Sequence, residues 1–206
     1  MERYHDAPQI LREFLSYHET IKGQSRRTIS EYYLDLRMFL RFLKLMRCEM
    51  PYNTPLEDIP IADIDAAFMA SVKTSEIFDF LSYLSNDREN PESPDAPGIN
   101  TASRARKLSA IKSFFKYLVH VKELLDVNPA AAINTPKMDK RLPKYLSLEE
   151  SVELLESVED DEESKNRERD YCILTLFLNC GMRLSELVGI NLSDIDRSFT
   201  KLRVIG

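Results

Sequence analysis

The residues with the most chemical potential lie near the C-terminal end, in the stretch Leu176-Phe177-Leu178-Asn179-Cys180-Gly181-Met182-Arg183-Leu184-Ser185-Glu186-Leu187. An apolar helical run breaks there at a glycine, a residue that reaches left-handed backbone angles at little cost, and a second helix starts at once. The restart places Arg183 in a first turn, where unpaired N–H groups and the helix dipole favour an anion. A guanidinium fork at that spot can grip a phosphate through two parallel hydrogen bonds. The same spacing also allows a plain surface pairing of Arg183 with Glu186, three residues on. Spacing alone leaves both readings open.

Other chemistry is sparse. The three cysteines, Cys48, Cys172 and Cys180, form no C-x-x-C pair, and no metal site is expected. Cys172 and Cys180 fall eight apart in one apolar helical pattern, which predicts buried thiols. His5, His18 and His120 are followed at i+3 by Pro8, Ile21 and Glu123, so the chain holds no H-x-x-R. The nine tyrosines fall at positions that read as core or surface helix, and none is singled out as a nucleophile.

A length of 206 residues with 43% apolar and 30% charged side chains predicts one or two soluble domains with a real core, and five glycines favour helices over a barrel or sandwich. No apolar run is long enough to span a bilayer, and Met1-Glu2-Arg3-Tyr4-His5-Asp6 opens no signal peptide, so a cytoplasmic protein without membrane contact is expected.

Net charge is −6, yet its distribution is uneven. Between Lys22 and Arg47 seven cations, among them Arg37 and Arg41, stand against Glu31 and Asp35. Between Asn100 and Lys122 six cations (Arg104, Arg106, Lys107, Lys112, Lys116 and Lys122) meet no acid at all. The compensating acids crowd into 57–95 and 149–163. Local potential rather than total charge steers association, so this asymmetry fits an anionic partner such as duplex DNA. The alternative is that these are the ordinary wet faces of long helices.

The elements that must position these residues read as helices. Apolar spacing predicts helices over 7–21, from an N-cap at Ser25 to about Arg47, over about 75–86, and over about 100–121. In the second, Ile29, Tyr32, Tyr33, Leu36, Phe39, Leu40 and Leu43 form the buried stripe, with Arg37, Arg41 and Lys44 off it. In the fourth, Leu108, Ile111, Phe115 and Leu118 face inward, while Arg106, Ser109, Lys112, Ser113 and Lys116 share the far side. Small hydroxyls between cations let backbone phosphates approach closely. Asn134–Pro143 reads as an extended linker carrying Lys137, Lys140 and Arg141. Ser147-Leu148-Glu149-Glu150 is a capping box that opens a helix to about Val158, and a further helix covers about 166–180. Leu202-Arg203-Val204-Ile205 alternates like a strand, which predicts a small hairpin turning near 198–201.

A basic helical N-terminal block, a Pro- and Lys-bearing linker and a C-terminal G-M-R-L-S-E-L occur here in one order, and together they resemble the tyrosine recombinases, most closely the Xer-type recombinases and phage-type integrases. Ser25-x-x-Thr28-x-x-x-Tyr32 with Asp35-Leu36 and Phe39 looks like the opening of that family's core-binding domain, and 104–118 like its last DNA-facing helix. Asn128-Pro129, Pro136-Lys137, Leu142-Pro143 and Leu146-Ser147 look like the linker and the start of the catalytic domain. The stretch 181–187 followed by Leu192-x-Asp194-Ile195 is similar to the box that holds the first catalytic arginine.

The resemblance implies a mainly α chain. A four-helix, SAM-like core-binding domain would cover 1–127 and a linker 128–145, and the first part of an α+β catalytic domain, helices plus the small hairpin, would cover 146–206. It implies DNA strand exchange through a 3′-phosphotyrosyl intermediate, with no metal, nucleotide or other cofactor, and with further recombinase protomers as partners. Arg183 takes the place of the first catalytic arginine and Glu186 that of the acid that braces it, while Ser25 and Thr28 join Arg37, Arg41, Arg104, Arg106, Lys107, Lys112, Lys116, Lys137, Lys140 and Arg141 as DNA contacts. The family's Lys, His-x-x-Arg and nucleophilic Tyr match nothing before Gly206. The expectation is therefore a piece of a recombinase that binds DNA without cleaving it, with Leu174, Phe177, Leu178, Leu187 and Ile190 short of apolar cover. A non-catalytic DNA-binding regulator and a helical protein-interaction module are the alternatives.

Overall fold

The computed structural model describes residues 4–47, 54–86, 88, 98–137 and 144–205. Among them run eight α-helices: α1 (Gln9–Thr20), α2 (Arg26–Met46), α3 (Ala66–Ala70), α4 (Thr74–Asn86), α5 (Thr101–His120), α6 (Leu148–Glu159), α7 (Arg167–Cys180) and α8 (Leu184–Val188). The chain divides into two compact units, Met1–Asp139 and Lys140–Gly206.

Helix starts in the first unit follow side-chain caps, each of which supplies an acceptor to an otherwise orphaned backbone donor and contributes about 1 kcal/mol. Ser25 Oγ accepts from the Thr28 N–H at 3.2 Å and opens α2. Asn100 Oδ1 accepts from the Ser103 N–H at 2.8 Å and opens α5. Asp65 Oδ1 accepts from the Phe68 N–H at 2.8 Å and opens α3, a helix too short for periodicity to betray, so this unit holds five helices where four were expected. Gly98 sets the distance between α4 and α5. Its φ is +96°, and a Cβ there would lie 2.0 Å from the Ser85 carbonyl oxygen, so only glycine lets the chain pass.

The second helix is the hub, packing against α1, α4 and α5. Ile29, Leu36, Phe39, Leu40 and Leu43 on α2 and Leu108, Ile111, Phe115 and Leu118 on α5 are buried as their spacing predicts. Aromatic rings tie the four helices together: Phe14 of α1 meets Phe114 of α5 edge-on at 5.2 Å, and Phe39 of α2 meets Phe80 of α4 at 5.2 Å and Phe115 at 6.4 Å. Such contacts add about 0.5–1.5 kcal/mol each beyond the burial itself. Lys44 departs from its expected place off the stripe. It is buried, and its Nζ lies 2.8 Å from both carboxylate oxygens of Asp63, because the segment after α2 folds back over it.

In the second unit the capping box closes as written: the Glu150 N–H donates to Ser147 Oγ at 3.1 Å, and the Ser147 N–H donates to Glu150 Oε2 at 2.7 Å. Helix α6 packs on α7, which ends at Gly181 in the left-handed region, φ 60° and ψ 30°. One neighbouring helix shields one side only. Leu174, Phe177, Leu178, Leu187 and Ile190 are half-buried. Cys172 and Cys180 are exposed, correcting the expectation of buried thiols, while Cys48 lies outside the described residues.

The predicted β-hairpin is not seen among the described residues. The chain does reverse at 196–201, but a single antiparallel bridge, Ile195 to Leu202, takes the place of a ladder. The reason is local competition for donors: Asp196 Oδ1 takes the backbone N–H groups of Thr200 and Lys201 at 2.8 and 2.7 Å, organising a side-chain-held turn. Hydrogen bonds from Ser198, Lys201 and Thr200 hold the Asp196 carboxyl down at about 2. No described helix is long and apolar enough to cross a membrane.

His18 is buried where α1 meets α2, its ring tilted against Phe14 at 4.4 Å and edge-on to Tyr32 at 5.3 Å, with Nδ1 3.0 Å from Gln24 Oε1. Burial, reinforced by nearby Lys22, pulls its pKa below the usual histidine value. The unfolded chain therefore binds this proton more readily than the native one, and His18 contributes stability above pH about 6.5 that declines as pH falls toward the lower native value. Urea unfolding between pH 7.5 and 5 should show a loss of stability that His18→Gln flattens; an unchanged slope in the variant removes this account.

A candidate nucleic-acid interface

Each unit carries candidate residues of its own. In the first unit, α2 and α5 carry most of the cations singled out from sequence, and the structure sorts them by what they touch. Asp35 is almost wholly buried on α2, its side chain 2% exposed. Its Oδ1 accepts from Lys107 Nζ at 2.7 Å, and its Oδ2 accepts from Arg106 Nη1 at 2.7 Å. Lys107 is buried as well, so this cation is committed to the interior rather than to solvent. Arg106 Nη1 also donates to Glu31 Oε2 at 2.5 Å, and both of these side chains stay nearly half exposed.

Arg37 and Arg41 converge on Asp6, with nitrogen-to-oxygen distances of 3.5 and 3.6 Å. The Tyr33 hydroxyl also donates to that carboxylate and accepts from Arg37 Nη1 at 3.0 Å. Burial pushes the Asp6 carboxyl up, but the Tyr33 hydroxyl and the two guanidinium groups outweigh it and hold it below the usual carboxylate range. Arg41 Nε donates in addition to the Ile59 carbonyl at 3.1 Å. Arg104 turns to the end of α4, donating to Ser85 Oγ at 2.8 Å and to the Ile99 carbonyl at 3.1 Å. Ser25 and Thr28 are occupied in the cap of α2, their hydroxyls 3.0 Å apart.

Lys112 and Lys116 differ from these. They lie on the outer side of α5 with Ser109 and Ser113, half-buried and exposed respectively, and neither forms an ion pair among the described residues. Lys137 is exposed beyond the last turn of the first unit; Lys140 and Arg141 lie outside the described residues. The acids that organise this surface, Glu31, Asp35 and Asp6, were not recognised from sequence as partners of these cations: Glu31 counted only as a minority charge, and Asp35 as that and as part of the motif at the start of the second helix. The available signal was the i, i+4 spacing of Glu31 and Asp35, which puts both carboxylates on one helical face.

In the second unit Arg183 is the residue before α8, extended at φ −76° and ψ 152° after the left-handed turn at Gly181. Glu186 binds it twice: Oε2 accepts from the Arg183 backbone N–H and Oε1 from Nη1, both at 2.7 Å. The first of these bonds does most to lower the Glu186 pKa, with the guanidinium adding to it. Both readings left open by the spacing are thus compatible with the geometry: the arginine pairs with Glu186, and its side chain remains 80% exposed. An exposed ion pair of this kind adds little stability, so its consequence is orientation of the fork. Among the described residues no group of three or more His, Cys, Asp and Glu side chains is gathered so as to hold a metal ion.

This arrangement occurs on a chain homologous to the tyrosine recombinases. Within that class the similarity lies with the Xer-type enzymes: the chain is 43% identical over 199 residues to the tyrosine recombinase XerC of Caldanaerobacter subterraneus subsp. tengcongensis, covering 97% of this chain and 52% of the relative. It is 36% identical over 197 residues to XerC of Myxococcus xanthus (96% and 55%) and 33% identical over 201 residues to XerD of Proteus mirabilis (98% and 54%). The chain thus spans about half the length of the curated relatives it matches. No family model and no solved structure matches it.

Removing Asp35 strands Lys107 in the interior. Asp35→Ala should cost about 3–5 kcal/mol in urea unfolding, whereas Asp35→Leu combined with Lys107→Met should recover most of that loss. Equal destabilisation by the single and the double variant would mean that shape, not charge, dominates this contact.

Proposed function

We propose that this chain is the DNA-binding portion of a Xer-like site-specific tyrosine recombinase, with 1–127 as core-binding domain, 128–145 as linker and 146–206 as the start of a catalytic domain. In the whole protein the reaction is cleavage and rejoining of DNA through a 3′-phosphotyrosyl intermediate, carried out with other protomers on two duplexes. The observation that carries this reading is Arg183: a largely exposed guanidinium oriented by Glu186, in a chain homologous to Xer-type recombinases over nearly all its length. Its role is to neutralise charge developing on the scissile phosphate, with Glu186 keeping the fork in place. The outer side of α5, with Lys112 and Lys116 in no ion pair among the described residues and small hydroxyls between them, supplies contacts to backbone phosphates. Arg37, Arg41, Arg104 and Lys107 serve mainly to hold helices together, because their donors are already engaged.

Binding to duplex DNA should weaken steeply with salt, since each neutralised phosphate releases counterions. Lys112→Glu with Lys116→Glu should reduce affinity for any duplex and flatten the salt dependence by about two contacts in a fluorescence-anisotropy titration. Unchanged affinity would favour a protein-interaction module instead. Cleavage requires a nucleophilic Tyr, and the sequence offers no His-x-x-Arg to accompany one. Incubation of this 206-residue chain with a nicked suicide duplex should therefore yield no covalent protein–DNA adduct on a denaturing gel; an adduct would overturn the binding-only reading.

A further inference from the structure

We infer that Glu31 and Arg106 form a base-reading pair for a G·C base pair in the major groove, rather than a phosphate contact; this rests on the duplex-binding reading of α2 and α5. Asp35 and Lys107 neutralise one another in the interior, both below 10% exposed. What remains at the surface is one cation and one anion, Arg106 and Glu31, with side chains 46% and 44% exposed. A neutral pair gains little from approaching a phosphate, and an approaching phosphate oxygen would meet the Glu31 carboxylate as well as the guanidinium.

A base edge is different, because it is uncharged and presents a pattern of donors and acceptors. Arg106 spends only Nη1 on the two carboxylates. Its Nη2 and Nε make no bond among the described residues, which leaves one edge of the fork for two parallel hydrogen bonds. Guanine offers O6 and N7 to such an edge, and the cytosine paired with it offers an N4 amino donor that a glutamate can accept. The pair is also held in position before any ligand arrives. The nearly inaccessible Asp35 anchors Arg106 Nη1 at 2.7 Å, so less side-chain freedom remains to be lost on binding. Glu31 and Arg106 each lie in the second turn of their helix, in α2 and α5. Along α5 the free cations Lys112 and Lys116 follow at about 9 and 15 Å from Arg106 by helical rise. A helix with its early turns at the base edges and its later turns at the backbone fits the width of the groove, about 12 Å.

The test is selection from a fully randomised duplex library by the full chain, repeated with Glu31→Gln, with Arg106→Lys and with Lys112→Gln. The wild-type protein should recover a motif containing a G·C position. Glu31→Gln, which leaves the Asp35–Arg106 contact intact and alters a half-exposed side chain, should lower the preference at that position by about ten- to hundredfold and leave the other positions unchanged. Arg106→Lys should do the same through loss of the two-pronged contact, whereas Lys112→Gln should weaken all duplexes alike. The proposal is overturned if both pair variants keep the wild-type motif, or if the wild-type protein binds duplexes with no base preference. Failure of the wild-type protein to bind any duplex at low salt is a separate result, which removes the DNA-binding reading and this inference together.

Discussion

A single buried carboxylate faces two cations across the seam between α2 and α5, and the rest of the first unit is arranged around that seam. Asp35 accepts from Lys107 and Arg106 at 2.7 Å each, in a place where Asp35 and Lys107 are almost closed off from water. Moving such charges out of water is costly, and an apolar substitute of similar shape can be as stable or more so. What an apolar pair cannot supply is a fixed rotational setting of α5 against α2. The carboxylate accepts only where donors point at it, so the outer side of α5 is turned outward by a directional contact and not by packing alone.

The cations of this chain divide into those that build the protein and those left for a partner. Arg37 and Arg41 gather on Asp6, Arg104 bonds the Ser85 hydroxyl near the end of α4, Arg47 forks onto Glu76 at 2.7 and 2.9 Å, and Lys44 sits on Asp63. A count of basic residues along the sequence therefore overstates the positive field that this unit presents. On α5 the effective cationic surface is smaller and more localised: Lys112 and Lys116, with the neutral pair of Arg106 and Glu31 at its near end. A field of that kind contributes attraction along one line of the helix and carries no sequence information by itself.

The second unit follows another logic. Its functional candidate is a solvent-exposed ion pair, weak as a source of stability, on a short helix whose start is fixed by a left-handed glycine. Glu186 holds both the backbone N–H and the guanidinium of Arg183, so the fork is oriented by a residue one turn away and needs no neighbour from elsewhere. Exposed Cys172 and Cys180 and half-buried Leu174, Phe177 and Leu178 show how little two packed helices can enclose.

Much of this architecture was legible in the residues. Six long helices, the caps at Ser25 and Ser147 and the buried stripes of α2 and α5 follow from spacing of three and four and from short polar side chains ahead of apolar runs, because these are local rules acting within a few residues. The stop at Gly181 and the pairing of Arg183 with Glu186 are equally local. Helix α3 was not legible, being too short, at five residues, for a helical pattern to repeat, nor was the fate of 196–205, where alternation promised strands and Asp196 captured the donors. The fate of each cation was the least legible of all. Arg106, Lys107, Lys112 and Lys116 are alike as residues on one helix, and only the position of Asp35 and Glu31 on a different helix decides which are consumed and which remain. Sequence fixes what lies within a turn or two of itself; partners about seventy positions apart are chosen by how helices pack, and charge–charge and hydrogen-bond energies depend on those distances.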